Sequence, residues 1–264
     1  MVPCFRGPYV VMKIAVCIKQ VPTREWQPRL NDDKTWVREQ DVSYEMNEPD
    51  AYALEEGLRL REKHSGEVVV CSAGPARVQQ VIREALARGA DRAVHVEDDG
   101  LGAADAFTAA SALAPAMADE KFDLILTGLQ SDDQGHAQFG PVLAEKLGLP
   151  HSTIIMEVLV TENSMKVKRE LEGGWFQHLT MPLPALLTIQ SGINQLRYAT
   201  LKGIMASKKK EIRKVAPPAG LGPRQKVLAL YAPQKAKQTV MIGGSPAEAA
   251  RELVKRLREE ARVL

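Results

Sequence analysis

The sequence predicts an α/β protein with a mostly parallel sheet and helices on both faces, extended by antiparallel strands and a C-terminal arm. Three observations carry this. Short apolar runs of strand length recur at 14–18, 67–72, 92–97 and from Phe122. Stretches with helical periodicity separate them, so the order alternates strand and helix as far as Pro150. After Pro150 the pattern changes to consecutive strands without helices between them.

In order, Ile14–Ile18 is a buried strand ended by Lys19-Gln20-Val21-Pro22. The chain stays polar to about Ser43, and Leu30–Val37, with Asn31-Asp32-Asp33 inside, reads as a loose hairpin. Pro49–His64 is a helix with Pro49 as its first helical residue and Ala51, Leu54 and Leu58 as its apolar stripe. Glu67–Ser72 is a strand, broken by Gly74-Pro75. Ala76–Arg88 is a helix with Val78, Val81, Ile82, Ala85 and Leu86 on one face and Gly89 as its cap. Arg92–Glu97 is a strand and Ala103–Asp119 an alanine-rich helix. The Phe122 strand then enters a polar loop holding Gly128 and Gly140, followed by a helix over Ala137–Leu147.

Ser152–Thr161, Lys166–Leu171 and Trp175–Met181 are strands, with turns at Glu162-Asn163 and Gly173-Gly174. Pro184–Gln190 is one more apolar strand. Arg197–Lys214 is basic, with seven Lys or Arg against Glu211 alone. Three prolines and two glycines within 215–223 read as a linker, and Lys226–Tyr231 as a short strand. Ser245-Pro246-Ala247-Glu248 opens a final helix, expected to run to the C-terminus with Ala250, Leu253, Val254 and Leu257 as its stripe. The expected division is a disordered extension over 1–11, an α/β domain over 12–214 and a linker with arm over 215–264.

The totals exclude several classes. The chain has 264 residues, 29.0 kDa and a formal net charge of +2, so no global field points to nucleic acid or membrane. Cys4, Cys17 and Cys71 are odd in number and far apart, which fits a reducing, cytoplasmic compartment. No apolar run approaches the roughly 18 residues of a membrane span.

The loop from Gly128 to Pro141 is the strongest functional candidate. A loop between a parallel strand's carboxyl end and a helix start is where open α/β sheets bind ligands, and the helix N-terminus attracts phosphate. Gly128 and Gly140 would allow close backbone approach. Catalytic and metal signatures are missing: no P-loop, no GxSxG, no HExxH and no paired CxxC. Gly100-Leu101-Gly102 begins like a dinucleotide fingerprint, but Asp105 stands where its third glycine belongs. This points to binding rather than catalysis.

Four segments together resemble the β subunit of electron transfer flavoproteins, the FixA-like branch included. They are Ile14–Pro22; Met46-Asn47-Glu48-Pro49-Asp50-Ala51-Tyr52-Ala53-Leu54-Glu55-Glu56; Gly128-x-Gln130-x-x-Asp133 with Gln138-x-Gly140-Pro141; and Arg197-Tyr198-Ala199-Thr200-Leu201 with Ile204-Met205 and Lys208-Lys209-Lys210. The resemblance implies an adenine-nucleotide-binding, Rossmann-like fold. It also implies a heterodimer whose main FAD belongs mostly to the α subunit, and a β subunit that holds AMP or, in electron-bifurcating members, a second FAD. It implies electron flow from flavin-dependent dehydrogenases, such as the acyl-CoA dehydrogenases of fatty acid β-oxidation, to a membrane quinone oxidoreductase.

By position, the resemblance assigns nucleotide contacts to Cys17, Asn47, Glu48, Pro49, Asp50, Ala73, Gly128, Gln130, Asp133, His136, Ala137, Gln138 and Phe139. It assigns partner recognition to a loop over 191–210, with Leu201 as anchor beside Arg197, Tyr198, Ile204 and Met205. Glu48-Pro49 stands where the family usually has Pro and a bulky residue, and Leu129 replaces a usual Lys or Arg. Ala106 and Ala109 stand where bifurcating members tend to carry threonines. An ATP-dependent hydrolase or ligase would show Ser-Gly-Gly after the first strand, and Lys19-Gln20-Val21-Pro22 is not that. A nucleic-acid role for Lys208-Lys209-Lys210 lacks interleaved aromatics, so no nucleic-acid partner and no membrane insertion are expected.

Overall fold

The computed structural model describes residues 11–40, 42–161, 164–232 and 239–263. Strand β1 (Met12–Cys17) is followed by a small antiparallel ribbon of β2 (Gln20–Pro22) and β3 (Tyr44–Met46), which local sequence did not announce. Then come α1 (Glu48–His64), β4 (Gly66–Gly74), α2 (Gln79–Arg88), β5 (Arg92–Glu97), α3 (Ala106–Ala118), β6 (Leu124–Gly128) and α4 (Phe139–Leu147). Strands β7 (His151–Val160), β8 (Ser164–Glu170), β9 (Phe176–Pro182) and β10 (Ala185–Ile189) follow. Helix α5 (Leu201–Ser207), strand β11 (Ile212–Val215) and α6 (Pro246–Glu259) complete the order.

Nine strands form one sheet in the order β11-β5-β4-β1-β6-β10-β7-β8-β9. It is parallel from β11 to β7 and antiparallel from β7 to β9. The expected fold class is therefore observed. The chain passes through β7, β8 and β9 before β10 returns to fill the place between β6 and β7.

The central strands are apolar throughout because both faces are covered. On β1, Ile14 and Val16 join the core beneath α1 and α2 with Leu54, Leu58 and Ile82. Ala15 and Cys17, one residue out of phase, join the core beneath α3 and α4 with Leu113, Met117 and Leu143.

Several expected boundaries move. Asn47 caps α1 and Glu48 precedes Pro49 inside it, so Pro49 is the second helical residue rather than the first. Helix α3 starts at Ala106, since the Asp105 carboxylate accepts the N–H of Thr108 and fixes the start there. Helix α4 starts at Phe139, because Ala137 has φ +53° and cannot be helical. The Leu30–Val37 hairpin is a single antiparallel bridge.

The basic stretch 197–214 contains a helix and an edge strand, β11, paired with β5; β11 runs to Val215, into the stretch read as linker. Lys226–Tyr231 is not a strand, and Leu230 N–H instead donates to the Lys34 carbonyl. Helix α6 stops at Glu259, short of the C-terminus. Its start is as expected: Glu248 accepts from the Ser245 backbone N–H at 2.8 Å. The Glu162-Asn163 turn and residues 1–10 of the expected disordered extension lie outside the described residues. No described helix is long and apolar enough to cross a membrane.

Candidate functional site

Strand β1 has β4 on one side and β6 on the other, so the chain reverses direction across the sheet at the β1/β6 boundary. Crevices of open α/β sheets form outside the carboxyl ends of strands at such a reversal. A cleft of about 780 Å³, counting the part open to solvent, lies there.

Asp50, in the first turn of α1, joins the two central strand ends. Its Oδ2 accepts the backbone N–H of Lys19 at 2.7 Å and its Oδ1 that of Gly128 at 2.9 Å. Burial raises the Asp50 carboxyl to about 7, against the opposing pull of these donors and Asn47. Asn47 fixes the loop after β6. Its Nδ2 donates to the Gln130 carbonyl at 2.9 Å, and its Oδ1 accepts the Asp132 N–H at 2.9 Å. The side chain is thus spent on the loop and makes no cap hydrogen bond to its own helix. Lys19 holds the far side of the same loop, donating to Asp133 at 2.7 Å and to Ser131 and Gln134 at 3.3 Å.

The glycines serve the protein itself. A Cβ at Gly128 would lie 2.4 Å from Asp50 Oδ1, and one at Gly140 would lie 2.5 Å from Thr188 Cγ2. The expectation that they clear space for a ligand is corrected: they allow α1 to reach β6 and α4 to reach β10.

Of the expected nucleotide residues, Cys17, Asn47, Asp50, Ala73, Gly128, Gln130, His136, Ala137, Gln138 and Phe139 line this one cleft. Glu48, Pro49 and Asp133 do not. Glu48 pairs with Arg24, Pro49 packs under Gly128, and Asp133 Oδ1 takes Lys19 Nζ and the Gln134 N–H. Ser131 and Gln134, within the expected Gly128–Pro141 loop, also line it, and so does Lys19, which lies outside the expected contacts. Another wall is formed by Leu101, Gly102, Ala104, Ala106 and Ala109. The Gly100-Leu101-Gly102 stretch was the available signal for that wall.

The cleft lining combines an apolar wall with hydrogen-bonding groups. Burial holds the Cys17 thiol well above its usual range, so it stays protonated and behaves as apolar wall. Helix α4 has Gln138 at its N-cap with no side-chain cap hydrogen bond, and Gln138 and Phe139 at this end line the cleft. Such an end suits an anionic group. No group of three His, Cys, Asp or Glu among the described residues could hold a metal ion.

A second surface lies on α5. Tyr198 is 90% exposed, Leu201 78%, Met205 63% and Ile204 45%. Arg197 is not part of that exposed face. It turns to α1, donating to Glu55 at 2.7 and 2.9 Å and to Glu62 at 2.5 and 3.1 Å. The basic run is likewise divided. Lys210 Nζ donates to the carbonyls of Leu86 and Ala90 at 3.0 and 2.5 Å, Arg213 binds Glu120 and Lys214 binds Glu97.

Comparison with known proteins agrees on one family. Residues 34–219 match the electron transfer flavoprotein domain. The chain is 36% identical over 261 residues to the electron transfer flavoprotein subunit beta of Methylophilus methylotrophus, covering 94% of this chain and 98% of that one. It is 34% identical to the corresponding subunit of Bacillus subtilis (strain 168), with 86% and 91% covered. It is 35% identical to that of Homo sapiens, with 96% and 99% covered.

Proposed function

The chain belongs to the electron transfer flavoprotein β-subunit family, and on that premise we propose that its cleft binds AMP and its α5 surface receives electron-donating dehydrogenases. An electron-transfer role and an α-subunit partner come with the family. The proposal adds the details. The α subunit holds most of the FAD. Electrons arrive from flavin-dependent dehydrogenases, such as acyl-CoA dehydrogenases in the cytoplasm, and leave to a membrane quinone oxidoreductase.

The observation that carries the AMP reading is the cleft at the β1/β6 reversal beside an uncapped α4 N-terminus. Its residues fit the nucleotide. Cys17, Ala73 and Leu113 offer an apolar wall to a flat base, and the loop before Phe139 with the α4 end offers N–H donors to a phosphate. Gln130, Ser131 and Gln134 supply polar groups for a sugar between them. Asp50 and Asn47 act one step back, holding the loop in shape.

The flavin, when bound, supplies the one- and two-electron chemistry. This chain's part is to shape the heterodimer, hold the nucleotide and present the docking surface. A second FAD here, as in a bifurcating complex, is the alternative. Ala106 and Ala109 on the cleft wall carry no hydroxyl for a larger cofactor, which favours AMP.

The test is co-purification with the α subunit, a visible spectrum and extraction of nucleotides from the denatured heterodimer. One flavin and one AMP per heterodimer are expected. Two FAD and no AMP would establish the bifurcating alternative.

A further inference from the structure

We infer that Arg83, on α2, is the positioning residue that holds α5 rigid for partner docking. This rests on the reading of α5 as the docking surface.

Helix α5 has seven residues, too few to be stable from its own hydrogen bonds. Apolar burial does not hold it either. Leu201, Ile204 and Met205 are exposed, and Ser207 is the one buried residue of the helix. The helix therefore contacts the body with its small and polar side and turns its apolar side outward, the reverse of an ordinary surface helix.

Three contacts replace the missing apolar ones. Thr200 Oγ1 accepts the Gly203 N–H at 3.0 Å and caps the start. Gly203 lies against α2 so closely that a Cβ would be 2.2 Å from the Ala87 carbonyl oxygen. At the far end, Arg83 Nη1 donates to the carbonyls of Ser207 and Lys210 at 2.5 and 2.8 Å. The last carbonyls of a helix have no partner of their own, and a cation there also suits the negative end of the helix. The arrangement is reciprocal. Lys210, at the exit of α5, donates to the Leu86 and Ala90 carbonyls at the end of α2. Each helix thus receives a cation on its C-terminal end from the other's segment.

A partner with an apolar pocket then meets Leu201, Ile204 and Met205 already in place. Ordering a loop on contact would weaken binding, and prior ordering removes that cost. Lys202, Lys208 and Lys209 around the patch suit an acidic rim on that partner.

The test uses the full heterodimer with an acyl-CoA dehydrogenase, reduced by its own substrate, as electron donor. Arg83→Met keeps the stem and removes the donors; Arg83→Lys, measured in the same way, serves if the first variant does not assemble. Expected results are faster amide exchange confined to 200–210, a KM for the dehydrogenase raised about tenfold, and unchanged kcat and nucleotide content. Unchanged exchange over 200–210 overturns the inference, as does faster exchange spread beyond that segment or loss of nucleotide, which would make Arg83 a general structural residue. Leu201→Ala, run in parallel, separates the two ideas. If it raises KM while Arg83→Met does not, docking at α5 stands and the role of Arg83 fails. If neither changes KM, the docking reading fails and takes this inference with it.

Discussion

The Oδ1 of Asp50 lies 2.9 Å from the backbone nitrogen of Gly128 and fills the space that a side chain at 128 would need. One carboxylate on a helix thereby closes the sheet at its point of reversal, and the strand end it closes on can carry only hydrogen. Gly128→Ala should therefore be destabilising. Its Cβ would meet Asp50 Oδ1 at 2.4 Å, Pro49 Cβ at 2.7 Å and the Asp50 nitrogen at 2.8 Å, and two of these belong to rigid parts of α1. Overpacking of this kind costs about 1–3 kcal/mol. Thermal melting of the heterodimer checks it, together with a double-mutant cycle. Asp50→Ala with Gly128→Ala should cost less than the two changes summed. Strict additivity would mean the clash is relieved elsewhere.

Asp50 also gives a pH dependence with a definite sign. Its carboxyl is raised from 3.8 to about 7, chiefly by burial. A group whose folded value is raised binds more protons when folded, so its contribution to stability is full below about 4 and is lost as pH rises toward about 7. The shift corresponds to about 4 kcal/mol at most. The stability of wild type minus that of Asp50→Asn should fall from about pH 4 to about 7 and level off above. A difference that grows with pH would show that the N–H donors of Lys19 and Gly128 outweigh burial.

Much of this was legible in the sequence, for reasons that show where legibility ends. The strands β1, β4, β5, β6 and β10 are buried on both faces, and their unbroken runs of Val, Ile and Leu announce them. Ten of the thirteen residues that the resemblance assigns to nucleotide contact line one cleft, and Glu48, Pro49 and Asp133 do not. Lys19 is not legible as a cleft residue because its neighbours along the chain say nothing about Asp133, which lies 114 positions away. Strand β11 was hidden because Ile212-Arg213-Lys214-Val215 is an edge strand whose cations bind Glu120 and Glu97, so it looks like part of a charge run. The two loop glycines read locally as space for a ligand, whereas Asp50 and Thr188 take the space a side chain there would need. Tertiary partners decide each of these cases, and local pattern does not contain them.

Lys208, Lys209 and Lys210 should separate sharply on substitution. Lys210 Nζ donates to two carbonyls at the end of α2, and burial pulls its ammonium below the usual lysine range. Lys210→Met would remove those donors and leave both carbonyls to solvent or unpaired. Hydrogen bonds to a charged group are worth about 1.5–3 kcal/mol. Lys208 and Lys209 are exposed, so the same change there should fall within about 0.5 kcal/mol of wild type. Melting curves of the three variants distinguish them, and three equal effects would refute the division of the run.

Leu201 gives the last prediction. At 78% exposure it is not a core residue, so truncating it removes almost no packing within this chain. An exposed leucine is unremarkable alone. This one opens a helix whose Ile204 and Met205 are also exposed, and whose backbone is held at both ends by Thr200 and Arg83. A single apolar residue seated in a partner's pocket can carry much of an interface's energy. Leu201→Ala should therefore slow electron transfer from an acyl-CoA dehydrogenase, costing about 1–3 kcal/mol in kcat/KM. Flavin content, AMP content and melting temperature should not change. Salt should weaken encounter equally in wild type and mutant, because the lysines around the patch act on approach and Leu201 acts after contact. Loss of flavin or an early melt in the mutant would instead place Leu201 in the subunit's own structure and remove α5 from the docking surface.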